Sequence, residues 1–196
     1  GNTASSSYDA VGNKLSSTHA KNQTTSFAYD NRNLPVQVTD AKQGITSYGY
    51  DNAGNMTSVT DARNNTTTYG YNEFNQVSSI TNPLSQVIQF GYNKNGLSNK
   101  VIFPKGDSIT STYNALNRLD GVYYNGVQKW GYVYDANGNV TSVNDVAAGK
   151  TTTYAYDKIN RVTQVTEGSA NSFSYNYDNN SNLTSLTATA GTASVS

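Results

Sequence analysis

Tyrosine followed by Asp or Asn recurs nine times in near-constant register along the 196 residues. The pairs are Tyr8-Asp9, Tyr29-Asp30, Tyr50-Asp51, Tyr71-Asn72, Tyr92-Asn93, Tyr113-Asn114, Tyr134-Asp135, Tyr156-Asp157 and Tyr177-Asp178. Successive tyrosines are 21 residues apart, with one step of 22. A fixed period of this length marks a repeat architecture, in which each unit covers its apolar face against its neighbours. The longer step falls between Asp145 and Thr151, where five residues replace the four at 62–65. Surface loops absorb such insertions at little cost.

Other columns keep the same period. Two residues before the tyrosine stand Phe27, Tyr48, Tyr69, Phe90, Tyr132, Tyr154 and Tyr175, with Ser6 and Ser111 as exceptions. Nine residues after it stand Val38, Val59, Ile80, Val101, Val122, Val143, Val165 and Leu186, with Ser17 as the exception. A weaker apolar column lies six residues after it, at Pro35, Met56, Val77, Leu119, Val140, Val162 and Leu183. Four residues after it come Gly12, Asn33, Gly54, Asn75, Gly96, Asn117, Gly138, Asn160 and Ser181. Gly and Asn best tolerate positive φ.

These columns predict one β-hairpin per repeat. The run Thr67 to Tyr71 alternates large and small residues and places Tyr69 and Tyr71 on one face. A turn follows at Asn72 to Asn75, where the first side chain accepts a backbone N–H two residues on and the fourth residue is left-handed. A second strand runs from about Gln76 to Thr81, and a second turn near Asn82-Pro83-Leu84-Ser85 closes the unit. The fold class is all-β: tandem 21-residue hairpins in a long, curled antiparallel sheet, as a β-solenoid or spiral shell segment. The aromatic and valine ladders are expected to form one continuous, thin core. The columns at six and nine differ by three, so either the second strand carries a bulge or both faces are partly covered. The array is read as one domain over 1–196, about nine repeats, cut from a longer array.

Composition narrows the function classes. The net charge is +0, with no Cys, one His and 13% charged residues. Zero net charge gives no general attraction to nucleic acid or an anionic membrane. Absence of Cys excludes a disulfide framework and a thiol nucleophile. No apolar run reaches the ~18 residues of a membrane helix. The 27 Asn, 24 Thr and 22 Ser would suit disorder, but 11% aromatics argue against it.

The unit Tyr-Asp-x-x-Gly-Asn, Val-Thr-Asp, Thr-Thr-Tyr-x-Tyr-Asp, seen from Tyr50 to Asn72 and from Tyr134 to Asp157, resembles the YD repeat of the RHS/YD-repeat family. Relatives of that kind include Rhs polymorphic toxins, Tc toxin C components, wall-associated bacterial proteins and teneurins. The resemblance implies a hairpin strip that spirals into a hollow shell, which in the toxins encloses a C-terminal toxin. It also implies an extracellular, secreted or cell-surface setting, bacterial by most of its relatives. The Asp-Pro pair of the family's autoprotease motif does not occur here.

The repeated acids are the best candidates for chemistry: Asp9, Asp30, Asp51, Asp135, Asp157 and Asp178, with Asp40, Asp61 and Asp145 as a second series. They read either as a Ca²⁺ ladder or carboxylate pair, or as turn caps. Asn fills the same column at 72, 93 and 114, which favours a hydrogen-bond acceptor over an obligate charge. His19 at a turn reads as polar surface. Trp130 and the Tyr123-Tyr124 pair depart from the repeat and read either as a buried wedge or as an exposed aromatic platform. No catalytic residue, cofactor or metal is expected. The expected structural residues are Tyr29, Asp30, Tyr50, Asp51, Tyr69, Tyr71, Tyr92, Val101, Tyr134, Asp135, Tyr156, Asp157, Tyr177 and Asp178. The leading reading is a non-catalytic wall segment around the protein's own C-terminal toxin or other cargo. The alternatives are an adhesion module for cell-surface glycans or proteins, and a filament subunit pairing edge to edge.

Overall fold

The computed structural model describes residues 4–19, 21–169 and 171–190. They form 18 antiparallel β-strands of one sheet, and no helix occurs among the described residues. The chain divides into two compact units. One takes in the described residues up to 90, with 103–105. It carries β1 (Ser5–Tyr8), β2 (Lys14–Thr18), β3 (Thr24–Tyr29), β4 (Pro35–Thr39), β5 (Ile45–Tyr50), β6 (Met56–Thr60), β7 (Thr66–Tyr71), β8 (Val77–Thr81) and most of β9 (Val87–Tyr92). The other takes in 91–102 and the described residues from 106 onward. It carries β10 (Ser98–Ile102), β11 (Ser108–Tyr113), β12 (Leu119–Tyr124), β13 (Val127–Tyr134), β14 (Val140–Asp145), β15 (Lys150–Tyr156), β16 (Val162–Glu167), β17 (Asn171–Tyr177) and β18 (Leu183–Thr189).

Each repeat is a hairpin, because its β-branched and aromatic runs are bounded by turns built for them. All nine residues of the Gly/Asn column have positive φ, from 59° at Asn75 to 95° at Gly138. The second turns use a further left-handed column fourteen residues after the tyrosine: Asn22, Gln43, Asn64, Ser85 and Gly106. One turn is different. Asn125 and Gly126, at φ 48° and 79°, close β12 onto β13 as a two-residue turn of the twist-compatible kind.

The spacing of three between the apolar columns is resolved by a bulge. In the hairpin β5–β6, Tyr48 opposes Val59, Gly49 opposes Ser58, and Tyr50 opposes Met56, so Thr57 is the extra residue. The same shift recurs in β3–β4, β7–β8, β11–β12, β13–β14, β15–β16 and β17–β18. One inserted residue restores parity, so both apolar columns lie on the tyrosine face. Val59 then sits between Tyr48 of its own hairpin and Thr67 of the next. The opposite face is small and polar: a Cβ added at Gly49 or Gly70 would meet the Ser58 or Ser79 hydroxyl at 2.5 Å.

The expected continuous core is not formed. Among the described residues no hydrophobic side chain is fully buried, and Gly121 is the one buried residue. Among the described residues the strand contacts within each unit join neighbours in sequence. Val101 and Tyr69 are each half-covered by cross-strand partners. Such pairs contribute roughly 0.2–1 kcal/mol each, and their sum over many repeats takes the place of a packed interior.

Candidate functional site

Seven of the nine Tyr-Asx pairs bind in two directions. The tyrosine hydroxyl reaches back and donates to the backbone carbonyl six residues beyond the preceding tyrosine. Tyr29 reaches Lys14, Tyr50 reaches Pro35, Tyr71 reaches Met56, Tyr113 reaches Ser98, Tyr134 reaches Leu119, Tyr156 reaches Val140 and Tyr177 reaches Val162, at 2.6–3.1 Å. The ladder between β4 and β5 pairs residues 37–39 with 45–47 and stops short of Pro35. The hydroxyl of Tyr50 satisfies a carbonyl that the ladder leaves over. Partial burial of the ring raises the Tyr50 and Tyr71 phenols above 10.0, and nearby phenol and carboxylate groups add to it. Tyr156 behaves in the same way.

The Asx residue caps the first turn. In all nine repeats its side-chain oxygen accepts the backbone N–H four residues on, at 2.7–3.1 Å. Asn72, Asn93 and Asn114 do this as the aspartates do. The second series repeats the motif: Asp40 holds Lys42 and Gly44, and Asp61 holds Arg63 and Asn65. Asp145 holds Ala148 in the longer loop. Asp51 lies below 3.8 because the Asn55 side-chain amide donates to it, reinforced by backbone N–H groups and opposed by partial desolvation. In Asp157 the first cause is the Arg161 backbone N–H. The turn-cap reading therefore describes the acids' geometry. Among the described residues no three His, Asp or Glu side chains converge as metal ligands would.

Successive turns are also stapled to one another, a feature the column reading missed. Where the residue five after the tyrosine is Asn, its amide donates to the left-handed Asn of the next repeat: Asn13 to Asn33, Asn55 to Asn75 and Asn139 to Asn160, at 2.7–2.8 Å. Where it is Arg, the guanidinium lies over the next tyrosine and donates to the next aspartate's carbonyl. Arg118 does so to Tyr134 and Asp135, and Arg161 to Tyr177 and Asp178. The signal was in the sequence: from Gly12 to Asn160 the left-handed column alternates Gly and Asn without exception. The true unit of the turn edge is a pair of hairpins.

His19 lies exposed at a turn where its backbone N–H donates to Gln23 and its carbonyl accepts from Asn22. Tyr123 packs over Gly121, where an added Cβ would meet its ring at 2.9 Å. Tyr124 and Trp130 are exposed by 42% and 43%, so the platform reading fits these two and the wedge reading fits Tyr123. Trp130 also lines a groove of about 810 Å³ with Asp145, Lys150, Thr152, Glu167 and Asn171.

Bulged hairpins, bridging tyrosines and Asx caps in a 21-residue register define a YD-type repeat protein. The chain belongs to the teneurin YD-shell family, whose model matches residues 1–110. The RHS repeat model matches residues 134–172. No curated protein sequence matches the chain. The crystal structure of TcdB2-TccC3-TEV is similar in fold, with a TM-score of 0.58 and 13% identity over 95% of this chain and 15% of that one. The Photorhabdus luminescens Tc holotoxin pore gives 0.59 and 14%, over 95% of this chain and 15% of that one. TcdB2-TccC3 without its hypervariable C-terminal region gives 0.54 and 14%, over 94% and 12%. The chain thus spans about 15% of the length of the first of these. Among the described residues no helix is long and apolar enough to cross a membrane.

Proposed function

We propose that this chain is a non-catalytic length of wall in a secreted or cell-surface YD-repeat protein, and that the wall encloses a toxin or other cargo from the same polypeptide. The observation that carries this reading is the tyrosine bridge. Seven hydroxyls tie one hairpin to the hairpin before it, at a backbone carbonyl that the ladder between hairpins leaves over. These side chains hold neighbours together and present no convergent set for chemistry. The alternate face, with Ser16, Gln37, Ser58 and Ser79 opposite Ser7, Ala28, Gly49 and Gly70, offers an unfolded cargo little apolar surface to adhere to. Membership in the YD-shell family and the fold shared with Tc toxin structures favour the same reading.

Limited proteolysis of the full-length polypeptide tests it. A segment C-terminal to the array should resist cleavage while the array is folded and become sensitive at the array's own unfolding midpoint. Cleavage of that segment at the rate of free peptide, with the array intact, would overturn the enclosure.

A further inference from the structure

Asn-Gly pairs occur at Asn95-Gly96, Asn125-Gly126 and Asn137-Gly138, all exposed at turns of the second unit. In such a pair the backbone nitrogen readily reaches the preceding side-chain amide, because Gly has no Cβ in the way. By sequence the three are equal candidates for that attack, and the structure makes them unequal. Asn125 is held at both ends of its amide. Its Oδ1 accepts the Ser108 N–H at 2.6 Å, and its Nδ2 donates to Asp107 at 2.7 Å. Turning its Cγ toward Gly126 breaks both bonds. Asn95 is held at one end, where Nδ2 donates to Asn117 Oδ1 at 2.6 Å. That bond stands in for the staple of a hairpin whose residue five after the tyrosine is Leu97. The Gly96 N–H donates to the Asn93 carbonyl at 2.9 Å. Asn137 is held least. Its Nδ2 lies 3.3 Å from Asn160 Oδ1, an oxygen that already accepts from Asn139 at 2.7 Å. The Gly138 N–H donates to the Asp135 carbonyl at 3.2 Å, at the long end of the range for such bonds.

A cation stands beside this last turn. A Cβ at Gly138 would lie 3.8 Å from Nη1 of Arg118, which donates to the Asp135 carbonyl at 3.1 Å. Among the described residues Arg118 forms no ion pair, and its buried Nε has no partner. The Asp135 carboxylate is occupied by the N–H and the side-chain amide of Asn139. A guanidinium without a counter-charge stabilises negative charge that develops on the backbone next to it.

We infer that Asn137-Gly138 is a self-modification site, at which the folded chain deamidates ahead of the other two pairs. The Gly138 nitrogen loses its proton to solvent base and bonds to Cγ of Asn137. The Cγ–Nδ2 bond breaks, and Nδ2 leaves as ammonia after taking a proton from water. Water then opens the cyclic imide. Cleavage of the bond from Gly138 nitrogen to the backbone carbonyl carbon gives isoaspartate, and cleavage of its bond to Cγ gives aspartate. The net change consumes one water and releases one ammonia, with nothing oxidised or reduced. Either product replaces an amide donor to Asn160 Oδ1 by an anion, next to the oxygen that anchors the Asn139 staple. The joint between these two hairpins is therefore where the sheet ages first. The site is independent of the enclosure of cargo, and either reading can fail without the other.

The intact chain is aged in mildly alkaline buffer, with and without denaturing urea, and the three peptides are followed by mass spectrometry. Labelling by an isoaspartyl methyltransferase separates the two products. In the native chain Asn137 should convert first, Asn95 next and Asn125 last, with about a tenfold difference between first and last. In urea the three rates should converge. Arg118→Gln should slow Asn137 while Asn95 of the same molecules keeps its rate, and Arg118→Lys should restore most of it. A variant that merely loosened the turn would speed the reaction, so a faster Asn137 in Arg118→Gln counts against the guanidinium's part. Should Arg118→Gln fail to fold by circular dichroism, Asn160→Ala carries the test, because loss of its oxygen frees the Asn137 amide and should raise the rate. An order that persists in urea would overturn the proposal. So would Asn95 or Asn125 leading in the native chain, or a native Asn137 that does not convert.

Discussion

The hydroxyl of Tyr71 donates to the backbone carbonyl of Met56 at 2.8 Å, tying one hairpin to the bulge of the hairpin before it. Tyr69, on the same strand face, makes no such bond with described residues. Tyr71→Phe should therefore lower stability by about 1 kcal/mol, while Tyr69→Phe changes it little. Urea unfolding of both variants checks the difference. Equal losses would place the contribution in the ring and not the hydroxyl.

The pH range of stability should be closed by different groups at its two ends. Asp9, Asp30, Asp51, Asp61, Asp135, Asp157 and Asp178 all lie below 3.8 in the folded chain. A depressed carboxyl adds stability that is full above the unfolded value and is lost as pH falls through the folded one. The acid limb should begin below about pH 4. Tyr50, Tyr71 and Tyr156 lie above 10.0, so their contribution is full below that value and is lost as pH rises through the raised one. Thermal midpoints across pH, read beside phenolate absorbance, test both limbs. Asp51→Asn should keep most of the cap, as Asn72 does, whereas Asp51→Ala should lower the midpoint clearly.

Val101→Asp probes how the apolar face is covered. Val101 is half-buried and lies opposite Ile109. A charge there meets water on one side, so the loss should be about 2 kcal/mol, below that of a charge forced into a packed core. A loss of 4 kcal/mol or more in chemical denaturation would require a second layer over the valine column.

Deletions should reveal the two-hairpin unit. Removing residues 29–70 leaves Asn13 facing Asn75, which restores an Asn-to-Asn staple. Removing 29–49 leaves it facing Gly54, and the staple is lost. Both chains should fold as β proteins, because the strand ladders, tyrosine bridges and Asx caps repeat each 21 residues. The shorter deletion should nonetheless unfold at the lower urea concentration per repeat retained. The staple itself should show a coupling of about 0.5–1 kcal/mol between Asn55→Ala and Asn75→Ala.

Much of this was legible in the residues, and the failures have physical causes. The hairpins and the first left-handed column could be read because Gly and Asn announce positive φ. The second column was hidden where Gln43 and Ser85 adopt the same φ without a compositional mark. The bulge was inferred only as one of two options, since its extra residue is an ordinary Thr57 or Ser78. Periodicity predicts a continuous core because it gives the face of a residue and not the number of layers over it. Trp130 was visible as a departure, but its companions Lys150 and Glu167 join it only through the register of four hairpin strands.

The absence of fully buried apolar side chains among the described residues has a thermodynamic corollary. Unfolding exposes less apolar surface per residue than in a domain with a packed core, and that exposure sets the heat-capacity increment. The increment should fall below the usual ~12–15 cal/mol/K per residue, so the stability curve is shallow and broad. Such a sheet should lose strength slowly on warming and resist cold denaturation.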